Sequence, residues 1–423
     1  MVHFRLHWIL KFMLKTGLLK YVNSVLGTTN AYICNSRPRR FGKSITANML
    51  TAYYSRGCDS TQMFAGLEIS RDPNFEKYLN KYDVIHWDVQ WCIEPAGGAE
   101  QVVSYLTERT IEELREYYPD ACPKQTNSLS EVLSQINYTT RKKFIIIIDE
   151  WDVLIRDEAT NEKVQREYID FLRALFKGVE PTKYIQLAYL TGILPIKKEK
   201  TQSALNNFDE FTMIHADSLA PYIGFTEREV KDLADVYYRD FDKVKKWYDG
   251  FVFGAHRDIY NPWSITNFLK EKKLRPYWAS TSSNGLVSRL IQTAASEVKQ
   301  MMEDLISGKD IVVNFDEQIV FGQLDTDESA IWSLLMASGY LKPDKVEYKG
   351  ELLEPWYHLS ITNLETVSMF SNMFKGWFNN DSSNYGEFVQ ALLKGRLREM
   401  NIYMNDVALS TFSYFDVGTQ PSE

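Results

Sequence analysis

The first stretch whose residues could do chemistry is an arginine-rich turn that follows a short apolar run and closes with glycine, lysine and serine. It reads Arg37-Pro38-Arg39-Arg40-Phe41-Gly42-Lys43-Ser44. Backbone N–H groups at the start of a helix point at phosphate oxygens, a lysine neutralises them, and a serine hydroxyl reaches Mg²⁺. The stretch therefore predicts a strand, a phosphate-binding loop and a helix. Positions 37–45 are the expected nucleotide contacts, with Lys43 on phosphate and Ser44 on the metal.

The loop departs from the standard spacing of such loops. That spacing places a glycine five residues before Gly42, where this chain has Arg37. Pro38 has no N–H group to offer a phosphate. An ordinary surface turn is the alternative interpretation, although Ile45 and Met49 fall on one side of the helix that would follow.

The second stretch is an isoleucine-rich run that ends in two carboxylates, Asp149 and Glu150. The isoleucines at 145–148 show no alternation, which is typical of a strand buried on both faces of a parallel sheet. Open α/β sheets place their ligand sites at the carboxyl ends of such strands. Asp149 is predicted to hold the Mg²⁺ that bridges two phosphates, and Glu150 to polarise the attacking water. The alternative is that both residues cap a helix, and Asp152 is predicted to be a cap or a supporting group.

A further strand is predicted from Tyr184 to Leu190, and it ends in Thr191 and Gly192. A hydroxyl at this position could contact the γ-phosphate or the attacking water, which would make Thr191 catalytic beside Lys43 and Glu150. Equally, Thr191 could close a turn with Gly192. The residues alone leave both interpretations open.

These side chains need a scaffold, and the surrounding sequence predicts one. Strand-type patterns lie at 82–89 and 211–215, and helix-type patterns at 99–118 and 162–177. Strands that alternate with helices from 31 to 215 indicate an α/β fold with a parallel sheet flanked by helices. The predicted fold class is therefore a P-loop NTPase.

Composition excludes several classes of protein. A chain of 423 residues suggests two to four domains, and 44% hydrophobic with 25% charged residues is ordinary for a globular protein. A net charge of −8 argues against a general nucleic-acid coat. The four cysteines form no Cys-x-x-Cys motif, which favours reduced thiols and a cytoplasmic protein. The first nineteen residues are apolar but interrupted by charges, so they predict an amphipathic lead-in helix and no membrane partner.

Seven motifs, in this order, give the chain a resemblance to a known family. They are Arg37–Ser44, Ile147–Asp152, Leu190–Gly192, Gly224–Glu227, Trp247–Phe251, Tyr260–Trp263 and Tyr277–Asn284. Together they resemble the bacterial AAA-ATPase-like family, whose members often carry a PD-(D/E)XK nuclease-like domain at the C-terminus. The resemblance covers roughly residue 12 to the end of the chain. One departure lies at 12–18, where family members tend to have an acidic residue that this chain lacks.

The resemblance also implies site roles. It implies ATP and Mg²⁺ as ligands, with Lys43 and Ser44 on phosphate and Mg²⁺. Asp149 would lie on Mg²⁺, Glu150 would be the catalytic carboxylate, and Thr191 would have a sensor-like role. It does not distinguish an arginine finger, for which the candidates are Arg39, Arg40, Arg141 and Arg156.

Downstream patterns predict further units. A helix at 227–239 resembles the helical lid of related ATPases. A helix at 331–341, followed by a hairpin of 346–352 and 356–361, indicates a winged-helix-like module. The predicted division is a lead-in region at 1–30, a P-loop ATPase core at 31–223, a helical lid at 224–294, a winged-helix-like module at 295–370, and a truncated start of the nuclease-like domain at 371–423.

Aromatic residues are frequent in the predicted lid. They include Trp247, Tyr248, Phe251, Tyr260, Trp263 and Trp278. Such rings could stack on bases, but in an acidic chain the favoured interpretation is that they form a core.

The sequence therefore predicts a protein that binds and hydrolyses ATP and couples its nucleotide state to movement between core and lid. The alternative is a nucleotide-gated module that binds DNA or a protein with little turnover. Metal-dependent cleavage needs an Asp and a Glu/Asp-x-Lys motif on adjacent strands to hold the cation. No such strands are predicted after residue 371, so nuclease activity is not expected. A DNA or protein partner and assembly into a homo-oligomer are left open.

Overall fold

The computed structural model describes residues 13–123, 125–156, 161–195, 205–279, 285–316, 329–379 and 395–402. The chain divides into two units, Met1–Glu365 and Thr366–Glu423. The first unit contains every predicted site residue. None of the described helices is both long enough and apolar enough to cross a membrane.

A five-stranded sheet forms the centre of the first unit, with the order β2-β3-β4-β1-β5 and parallel pairing throughout. Its strands are β1 (Tyr32–Ser36), β2 (Asp83–Asp88), β3 (Phe144–Asp149), β4 (Ile185–Gly192) and β5 (Asp209–Phe211). The order places β4 between β1, which leads into the arginine-rich loop, and β3, which ends in the acidic pair. This confirms the predicted α/β fold with a parallel sheet.

The isoleucines of β3 explain why the sheet is central. All four, Ile145 to Ile148, are fully buried. Ile145 and Ile147 pack in one cluster with the helices Leu18–Val25 and Lys43–Tyr54. Because side chains alternate along a strand, Ile146 and Ile148 face the opposite side of the sheet. The unbroken isoleucine run is therefore the signature of a strand covered on both faces, as predicted.

Helices cover this sheet. They are α1 (Leu18–Val25), α2 (Lys43–Tyr54), α3 (Thr61–Phe64), α4 (Phe75–Tyr78), α5 (Val89–Ala96), α6 (Val102–Tyr117), α7 (Leu129–Thr140), α8 (Val153–Arg156), α9 (Glu162–Phe176) and α10 (Pro181–Tyr184). Short 3₁₀ helices lie at Glu68–Arg71, Ala99–Gln101 and Asp217–Tyr222. The predicted helices at 99–118 and 162–177 are confirmed. Residues 1–12 of the predicted lead-in helix lie outside the described residues.

One strand prediction was wrong in its bounds. The strand expected at 211–215 is instead β5, which ends at Phe211. After it the chain turns, because Thr212 N–H donates to the His215 carbonyl at 3.1 Å and the His215 N–H donates to Thr212 Oγ1 at 3.1 Å. This local closure by a threonine hydroxyl ends the strand pairing.

The region after the central sheet combines helices with a second small sheet. Its elements are β6 (Phe225–Thr226), α11 (Glu227–Tyr237), α12 (Phe241–Tyr248), β7 (Phe251–Phe253), β8 (His256–Tyr260) and α13 (Pro262–Glu271). The three strands form an antiparallel sheet of order β6-β8-β7. The region predicted as a helical lid at 224–294 thus contains a small sheet as well as helices. Its first helix is confirmed, and it begins with a capping box between Thr226 and Glu229.

The aromatic residues of this region are mostly core, as favoured. Tyr248, Phe251 and Tyr260 are fully buried, and Trp278 is 1% exposed. Trp263 differs, because 38% of its surface is exposed.

A third set of elements precedes the end of the first unit. It comprises α14 (Gly285–Thr293), α15 (Ser296–Ile306), β9 (Ile311–Val313), α16 (Ser329–Ala337), β10 (Leu341–Lys349) and β11 (Glu354–Ile361). β10 and β11 pair as an antiparallel hairpin, and β9 joins the outer side of β11. The predicted hairpin is confirmed, although β10 begins at Leu341, earlier than expected.

The second unit, Thr366–Glu423, contains the greater part of α17 (Leu364–Asn379) and a helical segment at 397–402. Most of the predicted start of a nuclease-like domain lies outside the described residues.

Glu365 joins three segments of the first unit and is fully buried. Its Oε1 accepts hydrogen bonds from Ser264 Oγ at 3.0 Å and from the N–H groups of Trp278 at 2.5 Å and Ala279 at 3.4 Å. Burial raises the pKa of Glu365 to about 7, against an ordinary value of 4.5, although the hydrogen bonds oppose the shift. The folded state therefore binds a proton between these pH values that the unfolded chain releases, and stability falls as pH rises through this range.

We expect Glu365→Gln to stabilise the protein at pH 8, because an amide keeps the acceptor without a buried charge. The gain should reach up to about 3 kcal/mol and shrink towards zero near pH 4.5. Glu365→Ala, which removes the acceptor that these three donors share, should destabilise at both pH values. Urea unfolding of the three proteins across this range is the measurement. A difference between Glu365→Gln and the parent that does not depend on pH would contradict the assignment.

Candidate functional site

The arginine-rich loop joins β1 to α2, and its backbone leaves donors at the start of a helix. Arg40 and Gly42 both have left-handed backbone conformations, with φ of 67° and 80°. No side chain caps the N-terminus of α2, whose first intrahelical bond runs from Thr46 N–H to the Gly42 carbonyl at 3.0 Å. The N–H groups of Lys43 and Ser44 therefore have no partner within the helix. An anion at this end would meet these donors and the positive end of the helix dipole.

The Lys43 ammonium lies over the loop. Its Nζ is 3.4 Å from the Arg37 carbonyl, 3.3 Å from the Pro38 carbonyl and 3.7 Å from Glu150 Oε1. Only 5% of the side chain is exposed. These contacts are long for an ammonium ion. A phosphate oxygen near the loop would provide it with a shorter and charged partner.

Ser44 and Asp149 lie together, as the prediction required. The Ser44 hydroxyl lies near the Asp149 carboxylate, whose residue is 2% exposed and whose Oδ1 accepts the Glu150 N–H at 3.0 Å. Burial raises the pKa of Asp149 to about 6, and the nearby Ser44 hydroxyl opposes that shift. A hydroxyl and a carboxylate are the hard oxygen ligands that Mg²⁺ prefers, and Mg²⁺ keeps waters and phosphate oxygens as its other ligands. In the described parts of the chain no group of three or more His, Cys, Asp or Glu side chains converges, so those other ligands would be needed here.

Glu150 is held by two cations. Arg156 Nη2 lies 3.0 Å from Glu150 Oε2, and Lys43 lies on the other oxygen. The Glu150 backbone is left-handed, with φ of 49°, which is an uncommon conformation for this residue type. The strand end thus turns sharply and directs the Glu150 carboxylate towards the loop.

Asp152 supports the strand ends from within the protein. It is fully buried, and its Oδ2 accepts the N–H groups of Ile193 at 3.0 Å and Leu194 at 2.9 Å. Asp152 was predicted to be either a helix cap or a supporting group, and these contacts are those of a supporting group. The turn after β4 is therefore fixed to the segment that carries Glu150.

Thr191 lies in register between Asn35 of β1 and Asp149 of β3. Its side chain is fully buried, and its hydroxyl donates to the Asn35 carbonyl at 3.1 Å. Gly192 follows where a Cβ would come within 2.6 Å of Asp152 Oδ1. The hydroxyl is thus engaged within the sheet, at the edge where the loop and the acidic pair meet.

Arg37 has contacts other than those predicted for it. Its N–H group donates to the Gly192 carbonyl at 2.9 Å, and its fully buried guanidinium Nη1 donates to the carbonyls of Ser36, Phe211 and Thr212 at 2.9–3.0 Å. Burial lowers the pKa of Arg37 to about 9. Arg37 therefore ties the loop to β5 and to the residue after it through Nη1.

The sequence patterns missed several residues around the site. Asp88 ends β2 in register with Asp149, but its side chain accepts the Trp91 N–H at 3.0 Å as a helix cap. Asn261 and Trp263 contact the arginine-rich loop from the second region, as detailed below. Their distance of over 200 residues from the loop in sequence left no local signal. Among the finger candidates, Arg141 lies over Tyr138 on α7, away from the loop elements.

A parallel sheet flanked by helices, with the arginine-rich loop between β1 and α2 and an acidic strand end one strand away, is the fold of the P-loop class of proteins. Within that class, residues 12–201 match the model of the family described as "Predicted AAA-ATPase". The resemblance found in the sequence is thereby confirmed over these residues, which are somewhat less than half of the chain.

The chain is also similar to individual proteins. It is 25% identical over 344 residues to an uncharacterized protein encoded in the 5′ region of vnfD of Azotobacter chroococcum mcd 1. That match covers 78% of this chain and 60% of the relative, so the chain spans less than two thirds of the relative's length.

Two solved structures superpose at low scores. The Orc1 protein of Aeropyrum pernix, solved in complex with DNA, has a TM-score of 0.30 at 12% identity and covers 81% of this chain and 86% of its own. The Orc2 protein of Aeropyrum pernix, solved as ADPNP and ADP complexes, has a TM-score of 0.33 at 11% identity and covers 86% of this chain and 92% of its own.

We expect Asp152→Ala to destabilise the protein by roughly 2–4 kcal/mol, because two buried N–H groups lose their acceptor and Arg156 loses a nearby charge. Asp152→Asn keeps an oxygen for the N–H groups of Ile193 and Leu194, so it should cost less. Urea unfolding at pH 7.5 compares the two variants with the parent. Equal losses for alanine and asparagine would show that these two N–H groups do not depend on Asp152.

Proposed function

We propose that this protein binds ATP with Mg²⁺ at the arginine-rich loop and hydrolyses it. The observation that carries the proposal is the convergence of Lys43, Ser44, Asp149 and Glu150 at the carboxyl edge of one sheet, although the two pairs are over 100 residues apart. The family match over residues 12–201 supports the same assignment.

The proposed roles follow from the contacts. Lys43 and the N–H groups that begin α2 would neutralise and orient the phosphates. Ser44 and Asp149 would hold Mg²⁺, which supplies charge neutralisation at the β- and γ-phosphates. Glu150 would accept a proton from the water that attacks the γ-phosphorus, with ADP as the leaving group.

The proposed action on the rest of the protein is mechanical. The loop contacts the second region directly, so binding of a nucleotide at the loop would act on β7 and α13 without an intermediate element. We propose that nucleotide state biases the arrangement of the core against this lid. The division into core, lid, winged-helix-like module and nuclease-like start is part of this proposal.

A second candidate is a nucleotide-gated binding module with little turnover. It is favoured by the ion pair between Arg156 and Glu150, because Arg156 Nη2 lies 3.0 Å from Glu150 Oε2 and so occupies an oxygen that would otherwise be available to the attacking water. The order of β10, β11 and β9 after a helix pair is compatible with a winged-helix-like module, and DNA or a protein would be its partner. Phosphate release separates the two candidates.

We expect Lys43→Ala to weaken Mg-ATP binding by at least about tenfold, because the phosphates lose their charged partner. Glu150→Gln should bind Mg-ATP but slow phosphate release by about a hundredfold or more. Calorimetry and a phosphate-release assay measure the two effects.

Exposed residues of α9 provide matched controls. Lys163→Ala and Glu167→Gln alter side chains that are 77% and 51% exposed, so they should leave both measurements unchanged. The hydrolysis mechanism fails if Lys43→Ala and Glu150→Gln hydrolyse ATP as the parent does. Tight binding by the parent without phosphate release would establish the second candidate instead.

A further inference from the structure

The arginine-rich loop is held from outside by four residues of the second region. We call Phe251, Phe253, Asn261 and Trp263 the loop clamp. They belong to β7, to the cap of α13 and to its first turn. The loop lacks the first glycine of the standard spacing, so its shape must be maintained by something other than glycine flexibility.

Phe41 anchors the centre of the loop. Its ring lies 4.8 Å from the ring of Phe251 and 5.4 Å from that of Phe253, both edge-on, and only 3% of the residue is exposed. Gly224 lies against the same ring, where a Cβ would approach to 3.0 Å. The Phe41 side chain therefore packs into the second region and anchors the loop there.

Asn261 binds the loop backbone. Its Nδ2 donates to the Arg39 carbonyl at 3.3 Å, while its Oδ1 accepts the N–H groups of Trp263 at 2.9 Å and Ser264 at 3.3 Å. Asn261 is fully buried. One side chain thus caps α13 and fixes the peptide before Arg40.

Arg40 is the strained residue of the loop. Its φ of 67° is a conformation that costs a residue with a Cβ free energy, whereas glycine adopts it readily. Its guanidinium lies over the Trp263 ring at 4.6 Å. Such residues persist only where their surroundings hold them, and here the Trp263 ring and the Asn261 amide act on the two sides of Arg40.

We infer that Asn261 and Trp263 are positioning residues for the nucleotide site: they hold Arg40 left-handed and so keep the loop in the shape that binds phosphate. They thereby hold at Arg40 a backbone conformation that glycine would adopt without such support. The consequence for Mg-ATP rests on the proposed function, whereas the holding of the loop does not.

The first arm of the test needs no nucleotide. Trypsin cleaves after Arg40, and the rate reports how often the loop opens. We expect Trp263→Ala, and Asn261→Asp, which keeps the helix cap but lacks the N–H donor, to raise this rate about fivefold or more. Mass spectrometry detects the new terminus at Phe41.

A matched control exists on α7. Arg141 is also left-handed, with φ of 61°, and its guanidinium lies 5.7 Å over Tyr138, which is 70% exposed. Tyr138→Ala should therefore leave cleavage after Arg40 and Mg-ATP affinity unchanged.

The second arm is a double-mutant cycle on Mg-ATP affinity, measured by calorimetry. Trp263→Ala should weaken binding about fivefold, and Trp263→Phe, which retains a ring, should restore most of it. In an Arg40→Gly background, where no strain needs to be held, Trp263→Ala should cause no further loss.

The outcomes separate the two proposals. Unchanged tryptic cleavage in both clamp variants overturns the inference, whether or not the parent binds Mg-ATP. The inference is also overturned if Trp263→Ala lowers Mg-ATP affinity by the same factor in the parent and in the Arg40→Gly variant. If the clamp variants are cleaved faster than the parent but the parent binds no Mg-ATP, the inference about the clamp stands and the proposed function is refuted.

Discussion

The placement of β4 between β1 and β3 is the constraint on which the rest of the site depends. Parallel pairing in register brings the ends of the three strands to one edge, with Thr191 directly between Asn35 and Asp149. One intervening strand separates the loop from the acidic pair by about 10 Å of sheet, twice the spacing of neighbouring strands. The lysine and the carboxylates span that separation with their side chains, which is why Lys43 reaches Glu150.

Charges buried at this edge are balanced mainly by the backbone. Arg37 is balanced by carbonyl groups and Asp152 by N–H groups, and both are fully buried. Backbone dipoles fixed in a sheet need no reorganisation, so they hold the loop and the strand ends in place. Asp149 Oδ1 accepts the Glu150 N–H at 3.0 Å, but burial still raises the pKa of Asp149 to about 6. A bound cation would stabilise the charged form of this buried carboxylate.

Several features could be predicted because their signals are local. Four isoleucines in a row are sufficient to indicate a strand covered on both faces, and Gly42-Lys43-Ser44 after an apolar run is sufficient to indicate a loop that begins a helix. The strand at 211–215 was placed wrongly, because a threonine hydroxyl closes a turn that the apolar pattern does not reveal. The small sheet of the second region was missed, since strands of two to five residues carry too little periodicity.

The sequence by itself determined the chemical types at the site and the class of fold, because residue identity and periodicity are properties of neighbouring positions. Only the tertiary structure decided what the arginines do. Arg37 lies buried against β5, Arg40 is stacked on Trp263, and Arg156 is bonded to Glu150. A guanidinium group donates to carbonyls and carboxylates and also stacks on aromatic faces. Their partners are therefore set by which distant segments the fold brings within reach.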